Sequence, residues 1–184
     1  MAESQATVVI ESRRWVAERA GGATLEIGVG GWSSLSFYAV DAVLTGLDRQ
    51  PRAVAKARLA VAKSGRFAAV VEGDAMALPF DNGSMDTVVF SFSLCGVPEV
   101  RGALVEALRV LRPGGALLLA DHVAATSRPL YALQRVVETF TVPIVGEHFT
   151  RRPSLEAREL DVEIIEAERV GYGAIERLHA AKPR

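Results

Sequence analysis

The sequence predicts an α/β domain, a three-layer αβα sandwich around a mostly parallel, seven-stranded sheet that closes with an antiparallel C-terminal hairpin. Three observations carry this. Short apolar runs alternate with stretches of helical period, the pattern of βα units on a parallel sheet. The first apolar run ends in glycines, Gly28-Val29-Gly30-Gly31, where backbone lacking Cβ atoms lets a ligand approach. The last two runs are joined by Gly171-Tyr172-Gly173, which suits a hairpin.

Taken in chain order, residues 8–19 form a short leading helix with Trp15 and Val16. Residues 23–29 read as a buried strand, because Leu25, Ile27 and Val29 are apolar and glycines bound the run. Residues 43–48 form a second strand, and the Ala-rich residues 51–63 a helix stopped by Ser64-Gly65. Strands follow at 67–72 and 86–91. Residues 100–111 are helical, with Leu104, Leu108 and Leu111 at the i, i+4, i+7 spacing of a buried face. Pro113-Gly114-Gly115 is expected to end that helix and turn the chain into a fifth strand at 116–120. Residues 129–140 form another helix, whose Leu130, Leu133, Val137 and Phe140 make an apolar stripe expected to pack as core or lid. A loop at 141–149 and a short helix near 153–159 lead to the final strands at 161–169 and 174–181.

The 184 residues, 49 % hydrophobic, suffice for one domain with a full core, and no repeat or linker divides them. A net charge of -1 gives no reason to expect nucleic acid or an anionic membrane as partner. The lone Cys95 excludes an internal disulfide and a Cys-rich metal site, and no His/Asp/Glu spacing resembles a metal centre. No apolar run reaches the roughly 18–20 residues of a membrane span, and Met1-Ala2-Glu3-Ser4 lacks the build of a signal peptide. The expectation is a cytoplasmic protein with no metal and no integral membrane segment.

Glu26, two residues ahead of the first glycine, narrows the ligand. The dinucleotide fingerprint aims a helix N-terminus at a pyrophosphate, which a carboxylate here would repel, and its third glycine place is Ser33. A nucleoside joined through a sulfonium to an amino acid carries no such anion. Asp48 closes the second strand 22 residues after Glu26, close to the interval at which an acid meets ribose hydroxyls. It also suits an N-cap for the helix starting at Pro51, although Gln50 lies nearer the cap position.

Five strings in sequence resemble the successive motifs of class I S-adenosylmethionine-dependent methyltransferases. They are Leu25-Glu26-Ile27-Gly28-Val29-Gly30, Gly46-Leu47-Asp48, Glu72-Gly73-Asp74-Ala75-Met76-Ala77-Leu78-Pro79-Phe80, Met85-Asp86-Thr87-Val88-Val89, and Leu111-Arg112-Pro113-Gly114-Gly115-Ala116-Leu117-Leu118-Leu119. Within that superfamily the chain resembles the branch of the ubiquinone/menaquinone-biosynthesis and phospholipid N-methyltransferases. The resemblance implies a Rossmann-like fold and S-adenosyl-L-methionine as cofactor. It places Glu26, Gly28 and Gly30 at the methionine end, Asp48 on the ribose and Arg49 beside the adenine. Asp74 would accept from the adenine amino group, the Ala75 N–H would reach a ring nitrogen, and the Ser91 carbonyl would lie near the methionine ammonium. Asp74 also suits a Gly-Asp turn, and Ser91 an ordinary strand end. One departure stands out: the family's string continues Gly-x-Gly-x-Gly, whereas here Trp32 holds the last glycine's place. An indole there is expected to narrow the pocket or shift the loop.

Methyl transfer needs acceptor and donor held in line, and a base only where the acceptor must lose a proton. Asp121 and His122 follow the fifth strand on the ligand side, and His148 lies in the loop after the 129–140 helix. These three are the catalytic candidates, with surface or packed imidazoles the alternative for both histidines; His179 is read as packing. Phe37, Tyr38, Phe92, Leu94, Tyr131 and Phe149 are candidates for an apolar mouth or for core. The expectation is transfer to oxygen or nitrogen of a small organic acceptor. A phospholipid or quinone precursor, an inactive cofactor-binding protein and an NAD-binding module are the alternatives. Only 25 residues precede Glu26, so the pocket is open or is completed by a second subunit in a homodimer.

Overall fold

The computed structural model describes residues 5–184. After helix α1 (Gln5–Arg19), strands β1 (Ala23–Ile27) and β2 (Val43–Asp48) lead to α2 (Pro51–Ser64), β3 (Ala68–Glu72) and β4 (Met85–Ser91). Helix α3 (Val100–Val110), β5 (Leu111–His122), α4 (Arg128–Val145) and α5 (Pro153–Arg158) precede the closing pair β6 (Glu163–Val170) and β7 (Ile175–Ala181). The seven strands form one sheet in the order β3-β2-β1-β4-β5-β7-β6, all neighbours parallel except β5 with β7 and β7 with β6.

Period-two alternation divides the core between the two faces. Leu25, Ile27, Val88, Phe90, Leu117 and Leu119 pack with Val100, Ala103, Leu104 and Ala107 of α3. Val89, Leu118 and Ala120 pack with Trp15, Val16 and Ala17 of α1 and with Ala57 of α2. The same alternation turns Glu26, between Leu25 and Ile27, toward the α1 side. Its β1 partner strands are β2 and β4, and the chain runs outward through β2 and β3 before crossing back to β4. That reversal is the crevice in which open α/β sheets bind ligands.

Three local expectations are corrected. Leu111-Arg112-Pro113-Gly114-Gly115 is the start of β5, where Leu111 pairs with Met85 before a register shift, and α3 ends at Val110. The C-terminal segment holds this stretch: Gly114 N–H donates to the Lys182 carbonyl at 2.8 Å, and Lys182 N–H to that of Gly115 at 2.9 Å. Helix α4 runs on through Pro143 to Val145, replacing much of the expected 141–149 loop. Its Leu133, Val137 and Phe140 are exposed rather than packed in the core.

Candidate active site

The glycine turn is built from below by Glu26. Its buried carboxylate accepts from Trp32 Nε1 at 2.7 Å and from the hydroxyls of Ser34 and Tyr38, each at 2.8 Å. Burial pushes the Glu26 carboxyl above the ordinary glutamate range, and the three hydrogen bonds pull against that. Trp32 adopts a left-handed φ of 53°, a conformation costing a non-glycine residue roughly 1–2 kcal/mol. The indole turns away from the ligand side and is buried among Trp15, Leu35, Tyr38 and Leu44. Trp32 therefore fills core where the sequence suggested a narrowed pocket.

Above this network four of the turn's amides already have partners. The N–H groups of Gly28 and Val29 donate to the Leu47 carbonyl, that of Trp32 to the Val29 carbonyl, and that of Gly30 to Asp48 Oδ2 at 2.9 Å. This is not a cradle of free amides for a pyrophosphate. Gly28, at φ 75°, has a further constraint: an added Cβ would stand 2.5 Å from the Ser93 Cβ. At Gly30 the corresponding space is open.

A cavity of about 150 Å³ lies at the carboxyl ends of these strands and is lined by Gly28, Asp48, Arg49, Asp74 and Ala75, with Ser93, Val97 and Glu147 among the other walls. Asp48 Oδ1 accepts from Gln50 N–H at 2.9 Å and Oδ2 from Gly30 N–H. Each oxygen keeps a lone pair for a further donor, as a vicinal diol requires. Asp74 closes a turn by accepting from Met76 N–H at 2.9 Å, so the turn reading and the pocket reading hold together. Glu106 and Arg109, unremarked in the sequence, brace this loop: Glu106 accepts from Leu78 N–H, and Arg109 donates to the carbonyls of Leu78 and Phe80.

Glu26, Gly30 and Ser91 do not line the cavity. Glu26 lies beneath the turn, and Ser91 is buried at the end of β4. The sequence reading also passed over Arg13. Its guanidinium reaches from α1 to the Ser91 carbonyl and hydroxyl, both at 3.5 Å, and lies 5.0 Å from the Phe92 ring centroid. Nothing near Arg13 in sequence marks it; only the docking of α1 on the sheet brings it there.

The catalytic candidates fall into two places. Asp121 is buried, and its carboxylate accepts from the N–H groups of Ser93, Leu94, Cys95 and His122. Burial nevertheless pushes its carboxyl up to about 6. Asp121 thus fixes the turn after β4 that walls the cavity. His122 lies between the rings of Phe92 and Phe149, at 4.9 and 5.2 Å, and its Nδ1 is buried without a hydrogen-bond partner. Burial, aided by Arg13, lowers His122 to about 4, so the ring is neutral at pH 7. His148 is anchored by its N–H to the Cys95 carbonyl at 2.9 Å, and its neighbour Glu147 reaches the cavity wall. Of the suggested mouth residues, Tyr38 and Leu94 are core, while Phe92 and Phe149 flank His122.

Cys95 lies behind the 93–95 turn, its thiol pushed up by burial and by Asp121. Spacing in sequence expected no metal site, yet possible ligand atoms of Cys95, Asp121 and His122 lie within 4.8 Å of one another. The Asp121 oxygens are already engaged, and a thiol held protonated is a poor ligand.

A reversal-point pocket with an acid for a diol and no free pyrophosphate cradle defines a nucleoside-binding α/β domain of the methyltransferase type. A family model described as a methyltransferase domain matches residues 25–119. The chain is 34 % identical over 122 residues to a phosphatidylethanolamine N-methyltransferase of Cereibacter sphaeroides, covering 65 % of this chain and 60 % of that one. It is 34 % identical over 143 residues to a ubiquinone/menaquinone biosynthesis C-methyltransferase of Paracoccus denitrificans, covering 72 % and 55 %. It therefore spans a little over half the length of these relatives. Among solved structures, the [4+2]-cyclase SpnF superposes with a TM-score of 0.79 at 21 % identity, covering 98 % of this chain and 83 % of that one. An S-adenosylmethionine-dependent methyltransferase from Methanosarcina mazei gives 0.73 at 20 % identity, covering 100 % and 99 %. The chain belongs to the methyltransferase-domain family of class I S-adenosylmethionine-dependent methyltransferases.

Proposed function

We propose that the protein moves a methyl group from S-adenosylmethionine to oxygen or nitrogen of a small organic acceptor by in-line displacement. The carrying observation is the convergence of Gly28, Asp48, Arg49, Asp74 and Ala75, from three successive strand ends, on one cavity. The residues fit the cofactor: Asp48 has lone pairs left for ribose hydroxyls, and Asp74 and Ala75 line the same cavity beside it. The bound sulfonium supplies an activated methyl group and a good leaving group. Asp74 and the Ala75 N–H read the adenine beside Arg49; the Ser91 carbonyl lies outside the cavity and accepts from Arg13 at 3.5 Å, so it is not assigned to the ammonium. Arg13, beside that carbonyl, is the cation available to the methionine carboxylate. Glu26 acts through the turn as a positioning residue.

His122, held neutral well below its ordinary value, is a weak general base at pH 7. Its Nδ1 is buried and unpartnered between the Phe92 and Phe149 rings, so His122 stands as a packed imidazole rather than as a group that meets the acceptor. Asp121 holds the β4 turn, and His148 stands at the rim. The similarity to the two relatives favours a second acceptor reading, a lipid amine or a quinone precursor of the kinds named for them. No helix among the described residues is long and apolar enough to cross a membrane, and the free, buried Cys95 suits a reducing cytoplasm.

The test is incubation with methyl-labelled cofactor and a panel of small amines, phenols, phosphatidylethanolamine and quinone precursors. Label is expected in at least one acceptor. No label in any, with S-adenosylhomocysteine still bound, would leave a cofactor-binding protein without transferase activity.

A further inference from the structure

Helix α4 is built inside out. Its polar Gln134 and Glu138, 8 % and 6 % exposed, face the protein. Gln134 donates to the Val123 carbonyl and accepts from Ala125 N–H. Glu138 accepts from the N–H groups of Phe149 and Thr150, both at 2.7 Å. The apolar residues face away: Leu133 is 57 % exposed, Val136 56 %, Phe140 64 % and Ile144 77 %. These recur at i, i+3, i+7 and i+11, so they share one stripe about three turns long. A groove lined by Pro129, Leu130, Leu133 and Tyr172 continues it. Scattered apolar side chains on a surface need no explanation, but a continuous stripe on a helix whose polar residues are turned inward does.

The charges on α4 say what covers it. Its only acid, Glu138, is buried, whereas Arg128 and Arg135 are exposed along one flank of the stripe, Arg135 reaching back to Glu138 Oε2 at 3.2 Å with its side chain still 60 % exposed. The outward face is therefore apolar and cationic, with no carboxylate of α4 on it. A second copy packed with its helix antiparallel across a two-fold axis would set this arginine-bearing flank against its own image. Like charges would meet without an acid of α4 between them. An interfacial helix instead sinks its apolar stripe into the acyl boundary while flanking arginines meet lipid phosphates.

We infer that the outward face of α4 docks the protein on an anionic phospholipid bilayer. The net charge of -1 hides this, because it averages one cationic face with acids elsewhere. Docking does not depend on the methyl-transfer reading, though it sets the Phe92–His122–Phe149 group, which is tied to α4 by the Phe149 N–H to Glu138 hydrogen bond, close to a lipid surface.

The test is flotation of the full chain with vesicles of phosphatidylcholine alone or mixed with phosphatidylglycerol, alongside light scattering for mass. The wild type is expected to float with the mixed vesicles and far less with phosphatidylcholine. A Leu133→Ser/Phe140→Ser variant should lose at least about tenfold in partitioning, and Arg128→Gln/Arg135→Gln should partition less and with weaker salt dependence. Both variants should keep wild-type circular dichroism and S-adenosylhomocysteine affinity, which separates failure to dock from misfolding or failure to bind cofactor. Absence of flotation, or flotation that the α4 substitutions leave unchanged, would overturn the inference. So would a wild-type dimer that Leu133→Ser/Phe140→Ser splits, which would give the face to a second copy.

Discussion

Removing the acceptor at residue 26 should damage the fold, whereas removing only its charge should not. In Glu26→Ala, Trp32 Nε1 and the hydroxyls of Ser34 and Tyr38 lose their shared acceptor in a buried site. An orphaned buried donor costs about 1–3 kcal/mol, so the loss is at least about 3 kcal/mol. For a chain of this size that lowers Tm by about 6 °C or more. Glu26→Gln keeps a carbonyl oxygen for Trp32 and Tyr38, and its amide can donate to Ser34, whose hydroxyl rotates. It should stay within about 1 kcal/mol of wild type. The pH dependence follows from the direction of the shift. A carboxyl raised in the fold contributes stability below its unfolded value that is lost as pH rises through the folded one. Glutamine has no such loss, so Glu26→Gln should gain on wild type as pH rises above the ordinary glutamate value of 4.5. Chemical denaturation across a pH series, with S-adenosylhomocysteine titrations beside it, measures both. Equal loss in the two variants would refute the network. Unperturbed stability with cofactor binding lost in Glu26→Gln would show that Glu26 touches the ligand instead of the turn.

Other consequences follow from single contacts. His122, lowered to about 4 in the fold, contributes stability that is present above pH 6.5 and lost as pH falls through about 4. His122→Phe should remove an acid-side loss of about 3 kcal/mol, visible as a flatter stability profile between those values. Gly28→Ala combines a φ of 75° with a 2.5 Å approach to the Ser93 Cβ. A loss of about 2 kcal/mol or more is expected, with Ser93→Gly restoring only the steric part, as thermal melts of the single and double variants would show. Asp121→Asn sets an amide N–H among the four backbone donors its carboxylate accepts. It should loosen the 93–95 turn and weaken S-adenosylhomocysteine binding about tenfold or more by calorimetry, while Asp121→Ala weakens it further.

Much of the fold was readable because it rests on local pattern. Leu25, Ile27, Val88 and Phe90 alternate as buried strands must, and all seven strands lie where apolar runs suggested, within a few residues except for the early start of β5. That start escaped because its partners are distant: Met85 on one side and Lys182 at the far end of the chain hold Pro113-Gly114-Gly115 extended. The period of α4 was plain, but its orientation was not. A stripe of Leu133, Val137 and Phe140 points inward only if the core has room for it, and here the amides of Phe149 and Thr150 claim Glu138 instead. In the site, Gly28, Asp48, Arg49, Asp74 and Ala75 were found by motif, and the structure brings them to one cavity. Arg13 has no motif to mark it. The place of Trp32 depends on the acid six positions earlier in a different element, which no reading of the turn alone reveals.

Calorimetric titration of S-adenosylhomocysteine and NADH into wild type and Asp48→Ala is the most direct check on the pocket. The two ribose hydroxyls would lose charged acceptors worth about 1.5–3 kcal/mol each, so affinity for S-adenosylhomocysteine should fall at least about 100-fold in the variant. NADH should not bind either protein at micromolar concentration, because four of the turn's amides are engaged and Glu26 lies beneath it. Undiminished S-adenosylhomocysteine binding by Asp48→Ala, or micromolar binding of NADH by the wild type, would contradict the assignment of this cavity.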